Sequence, residues 1–318
     1  MKKSDEKKAL CAKHRELLQI VARFGKGAML LKQLRAICLR TGLYPNEQAV
    51  NRAVRNLRAA GVLTRQTWVD GNSDLVLARK GAYEFLQGVD SRGIATPPRP
   101  STMAPYILQA RKMDWLLAMM ESHQLDSPDA VERFLRSRGC TVFLRQTELL
   151  DYYMRYRKYL SGEKVAFDAE VRCLRARKVQ QESFTSHRVP ADRRHSEGQS
   201  ALEKMHRRDI YIARLSPQEK MVYLILFPEQ TSAKKIMDWA IEACWWTRNL
   251  LPGYRVKLTL YTYDEAHSAA LKRALQARTH GQMYWHARLA AERIDGILDL
   301  GARSTNFTNR WCGGVRAV

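Results

Sequence analysis

The stretch from Gln48 to Leu77 constrains this chain more than any other. Ala49, Val50, Ala53, Val54, Leu57 and Ala60 recur at helical spacing, and the pattern stops at Gly61. Gln48, Asn51, Arg52, Arg55, Asn56 and Arg58 fall on the opposite face. Two β-prone runs follow, Val62–Val69 and Leu75–Leu77, on either side of Asp70-Gly71-Asn72-Ser73-Asp74. An Asp-Gly turn between such runs predicts a hairpin. A one-sided helix feeding straight into a hairpin must bury its apolar face against something nearby.

The preceding residues supply that partner. Leu10, Leu17, Leu18, Val21 and Phe24 form one helical stripe over Ala9–Phe24, which Gly25 and Gly27 interrupt. Met29–Leu39 repeats the spacing with Leu30, Leu34, Ile37 and Cys38 until Thr41-Gly42 stops it. Pro45 suits the first position of the next helix. After the hairpin, Arg79-Lys80-Gly81 leads into a short helix, Ala82–Leu86.

Three helices, a hairpin and a closing helix are the layout of a winged helix-turn-helix. The run Asn51–Leu63 resembles the recognition helix and first wing strand of bacterial winged-helix DNA-binding proteins. A helix about 12 Å across fits the major groove, where Arg, Asn and Gln match base-edge acceptors and donors. Arg65 and Lys80 flank the hairpin and are expected to meet phosphates. Arg52 and Arg55 lie three apart, hence side by side, where a merely solvated helix tends to intersperse acids.

Charge agrees with a polyanionic partner. The chain of 318 residues carries a formal net charge of +22, and residues 1–88 hold 17 basic against 7 acidic side chains. Neutralising phosphates releases condensed counterions, which draws such a protein to nucleic acid. The same face in other winged helices serves protein interaction, which is the alternative.

The expected organisation has four parts. Residues 1–88 are the winged helix-turn-helix. Residues 89–105, with Gly93, Pro97, Pro98, Pro100 and Pro105, form a semi-extended linker. Residues 106–205 are a helical, basic region. Its Tyr152, Tyr156 and Tyr159 repeat at helical spacing among basic residues, and 172–208 is rich in Arg. Residues 206–318 are an α/β domain with a small mixed sheet: strands at Asp209–Leu215, Met221–Phe227 and Arg255–Tyr261, a helix capped by Thr231 or Ser232 running to about Asn249, and another over Asp264–Arg278. The fold class is therefore α+β.

Several classes are disfavoured. No apolar run approaches the ~18 residues of a membrane span, and the charged start leads into no signal core, so a cytoplasmic protein is expected. The six cysteines lie far apart, as free thiols rather than a disulfide or zinc framework. No Gly-rich phosphate loop occurs. Trp239 and Trp246, seven apart, read as a core stripe.

The C-terminal order of elements, behind a winged helix, resembles the replication-relaxation proteins, including the MobC-type mobilisation proteins of bacterial plasmids and integrative elements. That resemblance implies a restriction-endonuclease-like domain. It also implies an acid opening the first hairpin strand, matched by Asp209, and a second acid, for which Glu229 is offered. Lys234 or Lys235 would supply the basic position, with Lys235 preferred. Asp209 and Glu229 would hold Mg²⁺, the ion would activate water, and the lysine would steady developing charge. Leu224, Ile225 and Leu226 stand where the family's second acid would sit, so a remnant of the fold without activity is the competing expectation. Double-stranded DNA binding in mobilisation or replication of a mobile element, beside other mobilisation or replication proteins, is the leading expectation. DNA binding itself requires no cofactor. A Mg²⁺-dependent DNA nickase and a winged-helix transcriptional regulator are the alternatives.

Overall fold

A computed structural model describes residues 3–69, 71–89, 102–144, 202–228, 232–251, 253–261, 265–279 and 296–299. Helices and two small sheets together make an α+β protein. Residues divide into two compact units; the first is built mainly on Met1–Leu135 and also takes in Tyr261–Ala269 and Arg303–Val318, and the second comprises Arg136–Leu260 and Ala270–Ala302.

The first unit opens with α1 (Lys3–Lys13) and α2 (Arg15–Arg23). The single stripe expected over Ala9–Phe24 is thus broken at His14. Leu17, Leu18, Ile20 and Val21 of α2 face inward and are buried. Ala28–Leu30 is then a strand, β1, not the start of a helix. Lys26 and Gly27 both take positive φ, at 48° and 89°, which turns the chain out of α2 and into β1. The helix α3 (Leu31–Arg40) follows, and α4 (Glu47–Ala59) after it.

Asn46, not Pro45, starts α4: its side chain accepts from the Ala49 amide at 2.9 Å, satisfying one of the orphan donors of the first turn. Val50, Ala53, Val54 and Leu57 are buried along one side. Gly61, at φ +68°, ends the helix in the left-handed region that any Cβ would disfavour. The hairpin is β2 (Leu63–Thr67) with β3 (Asp74–Ala78), antiparallel from Leu63↔Ala78 to Thr67↔Asp74. β1 joins on the other side of β3, giving the order β1-β3-β2. Then come α5 (Lys80–Val89), α6 (Ala104–Ser122) and α7 (Pro128–Ser137).

α6 belongs to the first unit because it covers this sheet. Ala28, Leu30, Trp68, Leu75 and Ala110 form one buried cluster, with Leu77, Met103, Tyr106 and Ile107 against it. Buried polar contacts fix the register. Gln33 of α3 is fully buried, and its Nε2 donates to Ala110 O and to Asp114 Oδ1, both at 2.8 Å. Gln109 donates to the Phe24 carbonyl, and Arg23 pairs with Glu132 at 2.9 Å. Met113, Trp115 and Met120 are buried in the core.

The second unit carries a four-stranded mixed sheet, β4 (Ile210–Ser216), β5 (Met221–Leu226), β6 (Arg255–Leu260) and β7 (Gly296–Asp299), in that spatial order. β4 and β5 are antiparallel with a bulge between Ile212 and Arg214; β5–β6 and β6–β7 are parallel. Parallel neighbours require crossovers, supplied by α8 (Ala233–Leu250) and α9 (Glu265–Thr279). Ser232 caps α8 by accepting from the Lys235 amide at 3.4 Å. One sheet face packs its Ile210, Ile212, Val222, Leu224, Val256 and Leu258 against α8 residues such as Ile236 and Ala240. Trp239 and Trp246 lie against this core, with the Arg208 guanidinium over both rings at 5.9 and 5.2 Å. The free edge of β4 is covered by 138–142: Leu215 N donates to Arg138 O, and Thr141 N to Ile212 O, each at 2.8 Å.

Cys11, Cys38, Cys140 and Cys244 are buried free thiols. Among the described residues no helix is long and apolar enough to cross a membrane. The tyrosine cluster at 152–159, the Arg-rich stretch up to residue 201 and Glu229 lie outside the described residues.

Candidate nucleic-acid interface

The site is built on α4. Burial of Val50 and Leu57 (each 0% exposed) fixes the rotation of the helix, since each such side chain contributes about 1.5–3 kcal/mol when taken out of water. Turning that side inward turns Gln48, Arg52, Arg55, Asn56 and Arg58 outward, and all five are exposed. Glu47 is the one acid in the helix. It sits in the first turn, where a carboxylate suits the helix dipole, and pairs with Arg35 of α3 at 3.4 Å.

Asn51 is placed differently from the other five. It is half-buried, and its Oδ1 accepts from Arg35 Nε at 2.8 Å. It therefore couples α3 to α4 while its neighbours point to solvent. The sequence carries no direct sign of this, because Arg35 and Asn51 meet only once the two helices cross.

The hairpin extends the same surface. Arg65, Gln66 and Thr67 on β2 are exposed. Arg65 makes a close ion pair with Asp74 on β3, so part of its charge is already balanced. Lys80 is exposed and pairs with Glu84 one helical turn on, at 3.3 Å. Arg79 was not singled out by pattern. It is exposed, and its Nη1 lies 3.9 Å from where a Cβ on Gly61 would sit, beside the end of α4. Its neighbourhood depends on the β3–α5 junction meeting that helix end, through Arg79 N donating to Val62 O at 2.9 Å. Taken together the surface offers guanidinium and amide donors with few competing acids, which suits a phosphate-bearing ligand.

Behind the face lies one polar contact that touches its support. His14 Nδ1 and Tyr44 Oη are 2.7 Å apart, joining the α1–α2 break to the turn just before α4. Burial, then the nearby Lys13 charge, lowers the His14 pKa from 6.5; burial pushes the Tyr44 phenol up to about 12.

Of the second set of expected residues, Asp209, Lys234 and Lys235 are among those described. Asp209 precedes β4 with φ +56°, and one carboxylate oxygen accepts from the Tyr211 hydroxyl at 2.7 Å. Burial and then the Asp209 charge raise the Tyr211 pKa well above its ordinary value. The His206 ring packs edge-on to Tyr211, 4.8 Å between centroids. Lys234 and Lys235 are exposed at the start of α8. Leu224, Ile225 and Leu226 are buried. Among the described residues no group of three His, Cys, Asp or Glu side chains could hold a metal ion. Asp209 is thus a carboxylate held by a phenol.

No protein-family model, curated protein or solved structure matches the chain.

Proposed function

We propose that the first unit is a winged helix-turn-helix that binds double-stranded DNA, with α4 entering the major groove and the β2–β3 hairpin as the wing. The observation that carries this reading is the outward row Gln48, Arg52, Arg55, Asn56 and Arg58 on a helix whose other side is fixed in the core. Element order and the β1-β3-β2 sheet agree with it. Arg52 and Arg55 would contact base edges, while Arg58, Arg65, Arg79 and Lys80 would meet phosphates. The resemblance to replication-relaxation proteins extends the proposal to a role in mobilisation or replication of a bacterial mobile element, in the cytoplasm and beside other mobilisation proteins.

Selection of a preferred duplex from a random pool, followed by mobility shift at fixed salt, tests it. Arg52→Ala with Arg55→Ala is expected to erase the preference between selected and scrambled duplex while leaving weak, salt-sensitive binding. Retention of the full preference would refute the assignment of α4.

A further inference from the structure

The outermost line of α4 follows from its period. At about 100° per residue, Gln48, Arg52, Arg55 and Ala59 fall within about 60° of arc, directly opposite the buried Val50 and Leu57. All four are exposed. Asn56 and Arg58 lie off this line, one on either side. Ala59 carries no polar group, so the hydrogen-bonding chemistry of the line is one amide and two guanidiniums.

Those two guanidiniums differ from others in the first unit. Arg23 pairs with Glu132, Arg35 with Glu47, Arg40 with Glu121 and Arg65 with Asp74. Arg52 and Arg55 make no ion pair or hydrogen bond among the described residues. The line also lacks an acceptor-only side chain, because Glu47, the one acid of α4, sits 3.4 Å from Arg35. Both forks therefore keep their donors free at the exposed surface.

Geometry sets what such a pair can read. Residues three apart rise about 4.5 Å along a helix and hold their Cβ atoms about 5–6 Å apart. Base pairs stack about 3.4 Å apart, so the two side chains reach neighbouring pairs. A guanidinium fork needs two acceptors side by side. In the major groove only guanine presents them on one base, at O6 and N7. Adenine sets a donor beside its N7, thymine offers a single acceptor, and cytosine offers a donor. Gln48 both donates and accepts, so it does not share that restriction.

We propose that Arg52 and Arg55 determine specificity for guanine, and that the duplex bound by α4 carries two guanines on neighbouring base pairs, each read through O6 and N7. This rests on α4 being the helix that enters the groove, and adds the base that it selects.

Duplexes enriched from a random pool by the full chain, remade with guanine analogues and titrated by fluorescence anisotropy, decide it. 7-Deazaguanine keeps the base pair and loses N7, whereas inosine keeps O6 and N7 and loses only the minor-groove amine. With 7-deazaguanine at both positions, binding is expected to weaken about tenfold, and with inosine to stay within about twofold of the parent duplex. Arg52→Ala should abolish the 7-deazaguanine effect at one guanine and Arg55→Ala at the other. Both side chains are exposed, so thermal melts should match wild type. An enriched sequence without neighbouring guanines overturns the proposal, as does full affinity for the 7-deazaguanine duplex or an effect that persists at both guanines in the two variants. Any of these results, with binding still weakened by Arg52→Ala plus Arg55→Ala, removes the guanine assignment and leaves α4 in the groove. Equal affinity of wild type and the double variant for every duplex overturns the groove reading and the proposal with it.

Discussion

Arg35 Nε on α3 donates to Asn51 Oδ1 on α4 at 2.8 Å, and the same guanidinium lies 3.4 Å from the Glu47 carboxylate. One side chain thereby holds the N-terminal half of α4 at two points, on the edge between its buried and exposed faces. The clamp consumes the helix's only acid and one of its amides, and leaves its arginines outward. Arg35→Lys keeps the charge but cannot reach both partners with a planar fork. We expect Arg35→Lys and Arg35→Ala each to lower unfolding free energy by about 1 kcal/mol in urea titrations. Both should also weaken duplex binding several-fold although Arg35 meets no base; equal affinity would show that the helix needs no such brace.

The fully buried Gln33 side chain bridges α3 to α6 through Ala110 O and Asp114 Oδ1. Gln33→Leu removes both donated bonds and leaves a buried carboxylate with one partner fewer. A loss of about 2–3 kcal/mol is expected in equilibrium unfolding, larger than the loss from Gln33→Ala with Asp114→Ala measured against Asp114→Ala alone. A loss below about 0.5 kcal/mol for Gln33→Leu would contradict the bridge as an anchor of α6.

Acid should loosen the support of α4. The folded His14 pKa lies below its ordinary 6.5, through burial first and the Lys13 charge second. The unfolded chain then binds the proton more readily, so this contribution is fully present above the unfolded value. It is lost as pH falls from about 7 through the lowered folded value. The melting temperature of wild type should therefore drop between neutral pH and pH 5 by more than that of His14→Gln. Parallel pH profiles for the two proteins would remove His14 from the account.

On the β2–β3 hairpin, Asp74 balances Arg65. Asp74→Asn frees the guanidinium for phosphate, so duplex affinity should rise a few-fold and the slope of log K against log salt should steepen by up to about 0.9. The assay is an anisotropy titration of labelled duplex at several salt concentrations. A weaker or unaltered affinity would place the hairpin away from the duplex.

How much of this was legible follows from the range of each interaction. The α4 stripe, the Asp-Gly hairpin and the mixed second sheet are local patterns, and the residues turned outward on α4 follow from period alone. β1 escaped because three consecutive buried residues, Ala28–Leu30, show no alternation and continue into an apolar helix. β7 is a four-residue strand, too short to show a period of two, although Asp295-Gly296 and Gly301 bracket it in the sequence. The break at His14 and the cap at Asn46 shift boundaries by a few residues, where competing local hydrogen bonds decide. The attachment of α6 rests on Gln33 reaching residues about eighty positions away, and no spacing rule reports such contacts. The Arg35–Asn51 clamp and the Arg65–Asp74 pair were hidden for the same reason. Asp209 was singled out by position alone, and its phenol partner is visible only in three dimensions.

The salt dependence of duplex binding, compared between wild type and Arg52→Ala with Arg55→Ala, probes the central claim most directly. If α4 lies in the groove, the double variant loses at least about tenfold in affinity for the preferred duplex, and the residual binding no longer discriminates it from a scrambled one. Identical affinities, slopes and discrimination for the two proteins would contradict the account, because the exposed row on α4 would then be solvated surface and nothing more.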